Sequence, residues 1–492
     1  MTKTILILAA GLPAVAHAGG ILVGENGSQG MERAGAFVAK ADDPTALTVN
    51  PAGLANTDHV AIYLGMNLLD FNLKYQRRVN QPIGTEPTSF PLATNGANLQ
   101  PIPMISAVLK VQNLALAAGF WAPTSSPNRD FPCVNSVNCT IDAAGTPAPQ
   151  RYDIVHQEVI IVYPSLAAAY RILPSLDVGV RASWGYASVK ARNFVWATAN
   201  HAEDPGFDGD FSASVTDSMV WNFGAGILFR PTSFLELGAS ASSGGNVRAK
   251  GTGIAILGDK LPSLPGSGPE HIEPLPDADA KCATGGTAAA LKTCINFSLP
   301  RKAELGGRVI LRDANGGERA DLELDGRWEQ YNRDADIEVI VDGQDSLLQR
   351  PLRPTLIRHG FQDVWSARLG GAYKIDLSAD AVTVRGGVAF DTAAAPDSWT
   401  RLDVDTRPRQ YVSLGAALDI PGWRFDAGIS YVHEGTTTVT RVANPNPTFD
   451  NRSQPDPPQP AFFEDQQTWH PINEGTYDSG YIVGSFGITA MF

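Results

Sequence analysis

Eight histidines are all that a hydrolytic or metal centre could draw on in these 492 residues. A nucleophilic centre needs a serine or cysteine, a histidine and a carboxylate or amide brought together. The chain has no G-x-S-x-G elbow, no phosphate-binding glycine loop and no H-E-x-x-H run. His433 beside Glu434 is the nearest approach to a base and its orienting acid. Adjacent residues of a strand point to opposite faces, so this pair would not meet. The four cysteines pair by proximity, Cys133 with Cys139 and Cys282 with Cys294. An even count in an exported chain favours disulfides within loops. A four-cysteine zinc site is the rival, but neither spacing is C-x-x-C. A net charge of −13 with no basic run excludes nucleic acid as a partner.

Export is written in the first 18 residues. Lys3 supplies a positive start, Ile5 to Val15 a short apolar run, and Ala16-His17-Ala18 a cleavage site before Gly19. The run is too short to cross a bilayer as a helix, which takes about 20 apolar residues. Residues 1–18 are therefore expected to be a signal peptide. Downstream there is no apolar stretch of helical spanning length. A soluble chain of this size would normally divide into domains of about 100–200 residues with visible composition shifts. Here the texture is uniform from Val60 onward, with 48 glycines and only 18% charged residues.

That texture has a period of two. Val412, Leu414, Ala416, Leu418 and Ile420 share one face, against Tyr411, Ser413, Gly415, Ala417 and Asp419 on the other. Trp423 to Tyr431 and Trp221 to Phe229 repeat the pattern. Leu322 and Leu324 alternate with Asp321, Glu323 and Asp325, which a soluble sandwich would also allow. Two features separate a membrane barrel from that sandwich. Aromatic residues stand near the ends of the apolar faces: Trp184, Tyr186, Trp365, Tyr373, Tyr431 and Phe492. Tight turns (112–113, 174, 231–232, 313–317, 378, 421–422) also alternate with long polar loops such as 124–150, 258–295 and 441–476. The predicted strands lie near 60–78, 102–110, 114–122, 151–171, 175–194, 211–230, 233–256, 297–312, 318–341, 361–376, 379–391, 408–420, 421–439 and 477–492. The fold class is an all-β transmembrane antiparallel barrel of about fourteen strands over 59–492. Only a closed sheet pairs every backbone group in hydrocarbon. The last strand, ending on Phe492, is the segment expected to engage the barrel-assembly machinery.

Residues 19–58 do not alternate. They are rich in Gly, Ala and Asp, and Asn50-Pro51 favours a turn. A loose periplasmic tail would have this composition. A plug inside the lumen accounts for it better, because small residues pack in a crowded interior and irregular backbone is tolerated where protein surrounds it.

The segment resembles the hatch of the FadL/TodX family of outer-membrane transporters for long-chain fatty acids and hydrocarbons. The resemblance is carried by Gly27-Ser28, Gly30 to Gly35, Ala41-Asp42-Asp43-Pro44 and Asn50-Pro51-Ala52. It continues in the same order through Ala118 to Pro123, Leu299-Pro300, Trp328-Glu329-Gln330-Tyr331, Phe361 to Gly371, and Arg385 to Asp391 with Pro396. It implies a fourteen-stranded barrel with a hatch at 19–58, gated around Asn50, Pro51 and Ala52. It further implies passive uptake of a long-chain fatty acid or hydrocarbon, leaving sideways beside a kinked third strand at Trp121, Ala122 and Pro123. Proline cannot donate to a ladder and sits at edges and bulges, although Pro123 could equally begin the next loop. Among Arg181, Lys190, Arg192, Arg327 and Arg333, parity turns Arg181 and Arg327 inward. They are the candidates for a ligand headgroup, or else lumenal charges paired with acids; Glu323, Asp325 and Glu329 are ready partners for Arg327. The expected partners are a hydrophobic small molecule and outer-membrane lipid, with no cofactor and no energy-coupling protein, the chain acting as a monomer. A general porin and, more distantly, an outer-membrane lipid hydrolase are the alternatives.

Overall fold

Alternation of the kind read above becomes structure as soon as each strand has an antiparallel neighbour on both sides. The computed structural model describes residues 25–79, 89–122, 127–134, 139–195, 204–258, 260, 272–333, 336–344, 349–377, 379–404, 406–440 and 472–492. The signal peptide and Pro123 lie outside them. The staves are β1 (Val60–Arg77), β2 (Gln100–Val111), β3 (Leu114–Trp121), β4 (His156–Leu173), β5 (Leu176–Val195) and β6 (Gly209–Thr232). Next come β7 (Leu235–Ser242 with Gly245–Ile256), β8 (Leu291–Leu299 with Arg301–Arg312) and β9 (Glu318–Gln330 with Asp336–Gln344). The last are β10 (Val364–Asp376), β11 (Ala381–Asp391), β12 (Arg409–Ile420), β13 (Trp423–Val439) and β14 (Gly475–Met491). Each pairs with the next, and β14 pairs back onto β1 from Ala61↔Met491 to Arg77↔Gly475, closing the barrel.

The connections segregate as the sequence predicts. Short turns join β2 to β3 at Gln112-Asn113 and β12 to β13 at Pro421-Gly422, where Gln112 (φ 55°) and Gly422 (φ 80°) take the left-handed conformation that a two-residue hairpin needs. Long connections gather at the opposite end. Some boundaries move. β6 runs through Thr232, so its turn falls at Ser233-Phe234 rather than Pro231-Thr232, and β4 begins at His156, not 151.

Hydrocarbon sorts the side chains. Leu414 is 61% exposed and Ser413 1%; Leu324 is 61% exposed and Asp325 2%. Trp184 faces Trp221 across the β5–β6 ladder, and Trp328 faces Trp365 across β9–β10, giving outward aromatic bands at the interface.

Both expected disulfides are present, Cys133–Cys139 and Cys282–Cys294. The second corrects the expectation that each lies wholly in a loop, because Cys294 is on β8. Leu291, Thr293 and Ile295 continue the buried inward face upstream of residue 297, and Pro300 interrupts the ladder in mid-strand and hides that continuity. Cys294 points outward, so the bridge pins a loop against the barrel's outer wall. The Asp342 carboxylate completes the attachment by accepting from the backbone N–H groups of Lys281 (2.9 Å), Cys282 (2.7 Å) and Ala283 (3.3 Å). Replacing Cys282 and Cys294 by serine should speed proteolysis within residues 275–290. The difference in gel migration between boiled and unboiled barrel should not change, and a lost heat-modifiable band would refute the local role.

Candidate functional site

A segment without regular strand pairing, enclosed by a barrel, needs partners for its backbone, and one stave supplies acceptors for four successive N–H groups. The hatch folds inside the lumen as a short helix α1 (Ser28–Glu32), a single turn α2 (Ala46–Val49) and a 3-10 turn over Pro51–Asn56. Between the two helices, four successive N–H groups point at β9. Asp325 accepts from Phe37 (2.8 Å) and Val38 (3.0 Å), and Glu323 accepts from Ala39 (2.6 Å) and Lys40 (3.2 Å). The next inward acid along, Asp321, lies 2.7 Å from the Arg33 guanidinium, which also reaches Glu323 at 3.1 Å. A buried N–H left without an acceptor costs about 1–3 kcal/mol. Two carboxylates that satisfy four of them therefore decide where this loop sits.

Ion pairs fix the rest. Arg385 bridges Glu32 of the hatch and Asp426 of β13, at 2.6 Å each. Arg368 donates to Ala34 O at 3.0 Å and reaches Glu25 and Asp391. Small wall residues complete the fit. A Cβ added at Gly179 would overlap the Pro51 backbone, one at Gly387 the Arg33 carbonyl, and one at Gly238 the Val38 carbonyl. Glycine stands there because backbone meets backbone.

Both arginines singled out from the sequence point inward and both are held by the hatch. Arg181 donates to Leu47 O (3.0 Å), Thr48 O (2.9 Å) and Asn222 (2.6 Å). Arg327 meets Glu25 at 2.7 Å and Glu304 at 2.5 Å, rather than the predicted Glu323, Asp325 or Glu329. Lys190 and Arg192 stand on the outward face. Asn50 is buried; its side-chain amide donates to Val38 O (2.9 Å) and Ile227 O (3.2 Å), and its oxygen accepts from Ala52 N (3.2 Å). Pro51 and Ala52 follow it against the glycine of β5. Asn50 thus fastens the hatch to itself and to β6. His433 and Glu434 do face apart; Glu434 turns inward to Arg409 at 2.8 Å.

Beside the hatch, the described residues leave one stretch of the wall without a ladder. β3 has 8 residues, fewer than the about 9–11 a tilted strand needs to cross hydrocarbon. Its ladder with β4 stops at Trp121↔Tyr163 and pairing resumes only at Arg129↔Gln157. Among the described residues, Glu158 to Val162 have no ladder partner on that side. The sill they form is apolar from Val159 to Val162. Pro101, Pro103 and Pro164 flank it, each lacking the N–H that pairing would use. Trp121 closes the lumenal side: its indole N–H donates to Ser165 (2.8 Å), its ring lies 5.1 Å from that of Tyr163, and Arg181 lies 4.8 Å from its ring centre.

On the extracellular side of the hatch, apolar residues meet across the lumen: Leu69, Phe71, Tyr411, Val432, Tyr481 and, from the hatch, Met31. The void left between Met31, Ala34, Tyr411, Val432 and Val483 is about 10 Å³, room for no more than one water. Arg401, in the loop after β11, joins Asp153 (2.7 Å) and Asp403 (3.2 Å), and His359 reaches Asp403 at 3.0 Å. Burial works against the charge of Asp403, but Arg401 and His359 hold its carboxyl well below the usual carboxylate range.

The family model for outer membrane transport proteins of the OMPP1/FadL/TodX type matches residues 9–455. The chain belongs to this family. It is an outer-membrane β-barrel channel for hydrophobic compounds, not an enzyme. The outer membrane protein NMB0088 of Neisseria meningitidis is 21% identical over 448 residues, covering 89% of this chain and 91% of its own length. Two crystal structures share the fold. A Pseudomonas aeruginosa FadL homologue has a TM-score of 0.70 at 17% identity, covering 96% of this chain and all of its own. The P. putida toluene transporter TodX has 0.63 at 14%, covering 97% and 99%.

Sequence reasoning missed the acid row of β9 as a hatch anchor and the inward glycines as its seat. The signal was present: three acids at alternate positions facing inward, with glycines at matching depth on other staves. Replacing Glu323 and Asp325 by alanine should orphan the hatch amides and raise single-channel conductance to small ions at least severalfold in planar bilayers, while Leu324→Ala, on the lipid face, should not.

Proposed function

We propose that this transporter takes up hydrophobic small molecules passively, from the apolar chamber above the hatch to the membrane through the interruption beyond β3. The observation that carries the reading is the five-residue stretch of β4, Glu158 to Val162, for which the described residues beyond Trp121 offer no ladder partner. An apolar ligand leaving there passes into lipid without crossing water. Between Met31, Ala34, Tyr411, Val432 and Val483 the hatch and wall leave room for one water, which favours a closed plug over a standing aqueous pore there, so the porin reading is the weaker one. Entry requires the hatch or the loops to move aside.

Ligand class follows from the chamber chemistry. Its walls are aliphatic and aromatic, and two arginines beside it have carboxylate partners: Arg401 with Asp153 and Asp403, Arg409 with Glu434. A ligand carboxylate would have to compete for them. Burial of each ligand CH₂ is worth about 0.8 kcal/mol, so the tail of a long-chain fatty acid or a hydrocarbon supplies the affinity. Toluene is the cargo of TodX, and aromatic hydrocarbons fall in the same class. Arg181 and Arg327 then serve the hatch, not the ligand, and Asn50, Pro51 and Ala52 form the part of the plug that must yield.

The test separates binding from passage. Pro123→Val restores a ladder donor beyond Trp121. Uptake of a labelled long-chain fatty acid or of toluene into cells should fall about tenfold, while ligand bound to the purified protein, counted by native mass spectrometry, stays unchanged. Unchanged uptake would remove the lateral route; absence of any apolar ligand, with free flow of polar solutes, would restore the porin.

A further inference from the structure

Above the outer aromatic band, on the side of the barrel that faces away from the lumen, four staves carry polar rather than apolar residues. β6 is 24 residues long, more than twice the about 9–11 needed to span, and β4, β5 and β7 rise beside it. Along β5 the outward series Trp184, Tyr186 continues with Lys190 and Arg192. The ladders set Lys190 opposite Ser214 and Arg192 opposite Ser212, and Ser214 opposite Thr252 of β7. His156 of β4 faces Arg192. The short side chains leave a hollow of about 500 Å³, walled on one side by Phe131 to Cys133. It has three basic groups, three hydroxyls and one lining acid, Asp130, in a chain of net charge −13.

We propose that this hollow binds the phosphorylated sugar headgroup of an outer-leaflet glycolipid. Charge is the first argument. Arg192 is held upright by a half-buried pair with Asp210 (2.7 Å), and Lys190 and His156 by exposed pairs with Glu158 (3.3 Å) and Asp130 (3.5 Å). Exposed pairs of this kind are worth about 0–1 kcal/mol, so a phosphate, which forms stronger charge-assisted bonds with such groups, exchanges into them readily. The hydroxyls of Ser212, Ser214 and Thr252 offer both donors and acceptors, which suits a sugar. Among the described residues no aromatic anchor of the kind a protein partner needs stands on that floor, Phe131 being part of the side wall.

Height is the second argument, and it chooses among lipids. Lys190 is four residues beyond Tyr186, about 13 Å along the strand and about 10 Å along the membrane normal at a tilt of about 35–45°. The headgroup layer of an ordinary bilayer is about 5–8 Å deep on each side. A phospholipid phosphate therefore stops below the hollow, whereas a phosphate carried on a sugar headgroup reaches it.

The experiment uses the full-length protein in detergent with lipopolysaccharide of defined phosphorylated core, the same material after enzymatic dephosphorylation, and phosphatidylglycerol, bound lipid being counted by native mass spectrometry. We expect the intact glycolipid to bind and the dephosphorylated one to bind at least tenfold more weakly. Lys190→Gln with Arg192→Gln should lose binding to the same extent, and Arg319→Gln at the opposite rim should lose none. Ser214→Phe, which fills the hollow without touching a charge, should also abolish binding and stands in if the double variant loses its heat-modifiable folded form. The proposal is overturned if wild type fails to retain the glycolipid, if phosphatidylglycerol binds equally well, if millimolar inorganic phosphate does not compete, or if either hollow variant binds like wild type.

Discussion

Four backbone amides, from Phe37 to Lys40, are held by two carboxylates, and the architecture of the lumen follows from the need to hold them. Inside a barrel the hatch cannot lean on water or on a neighbouring strand, and every buried N–H must meet an acceptor. Glu323 and Asp325 meet that need, but carboxylates in a lumen need counter-charges. Arg33 provides them for Glu323 and Asp321, and Lys40 from the hatch and Arg308 from β8 add to them at Asp321. Glycines on the facing staves then let the backbone come close enough for these contacts to form. Charge, hydrogen bonding and sterics converge on one seating of one short segment.

The barrel was legible in the residues because lipid sorts a strand with a strict period, and a period survives without knowledge of partners. Val412 to Ile420 and Leu322 to Leu324 announced their outward faces before any pairing was known. The lumen was legible only as far as direction. Parity turned Arg327 inward, but its partner is Glu304, directly opposite it on β8, and not the acids on its own strand. Neighbours two apart along a strand are about 6.6 Å apart, whereas cross-strand pairs stand at about 4.5–5.5 Å. Finding the partner needs the register, which alternation alone leaves open. Cys294 shows the same limit: Pro300 looked like the edge of a strand and proved to be an interruption within one.

Arg181 connects the end of the β3–β4 ladder to the hatch. Arg181 holds the Leu47 and Thr48 carbonyls with one end of its guanidinium and lies over the Trp121 ring at the last paired position of β3. The plug and the end of the β3–β4 ladder are thus parts of one packed unit.

The tight seat of the hatch bears on the order in which the molecule can be made. Its backbone lies against Gly179, Gly238 and Gly387 with no space for a side chain, so hatch and wall fit each other in one arrangement. The seam between β1 and β14 is the last to have both its strands, because one follows the hatch at Val60 and the other ends at Met491. Zipping that seam traps whatever the lumen then contains. Assembly of this barrel is therefore an act of enclosure, with the plug serving as the mould around which the wall is drawn shut.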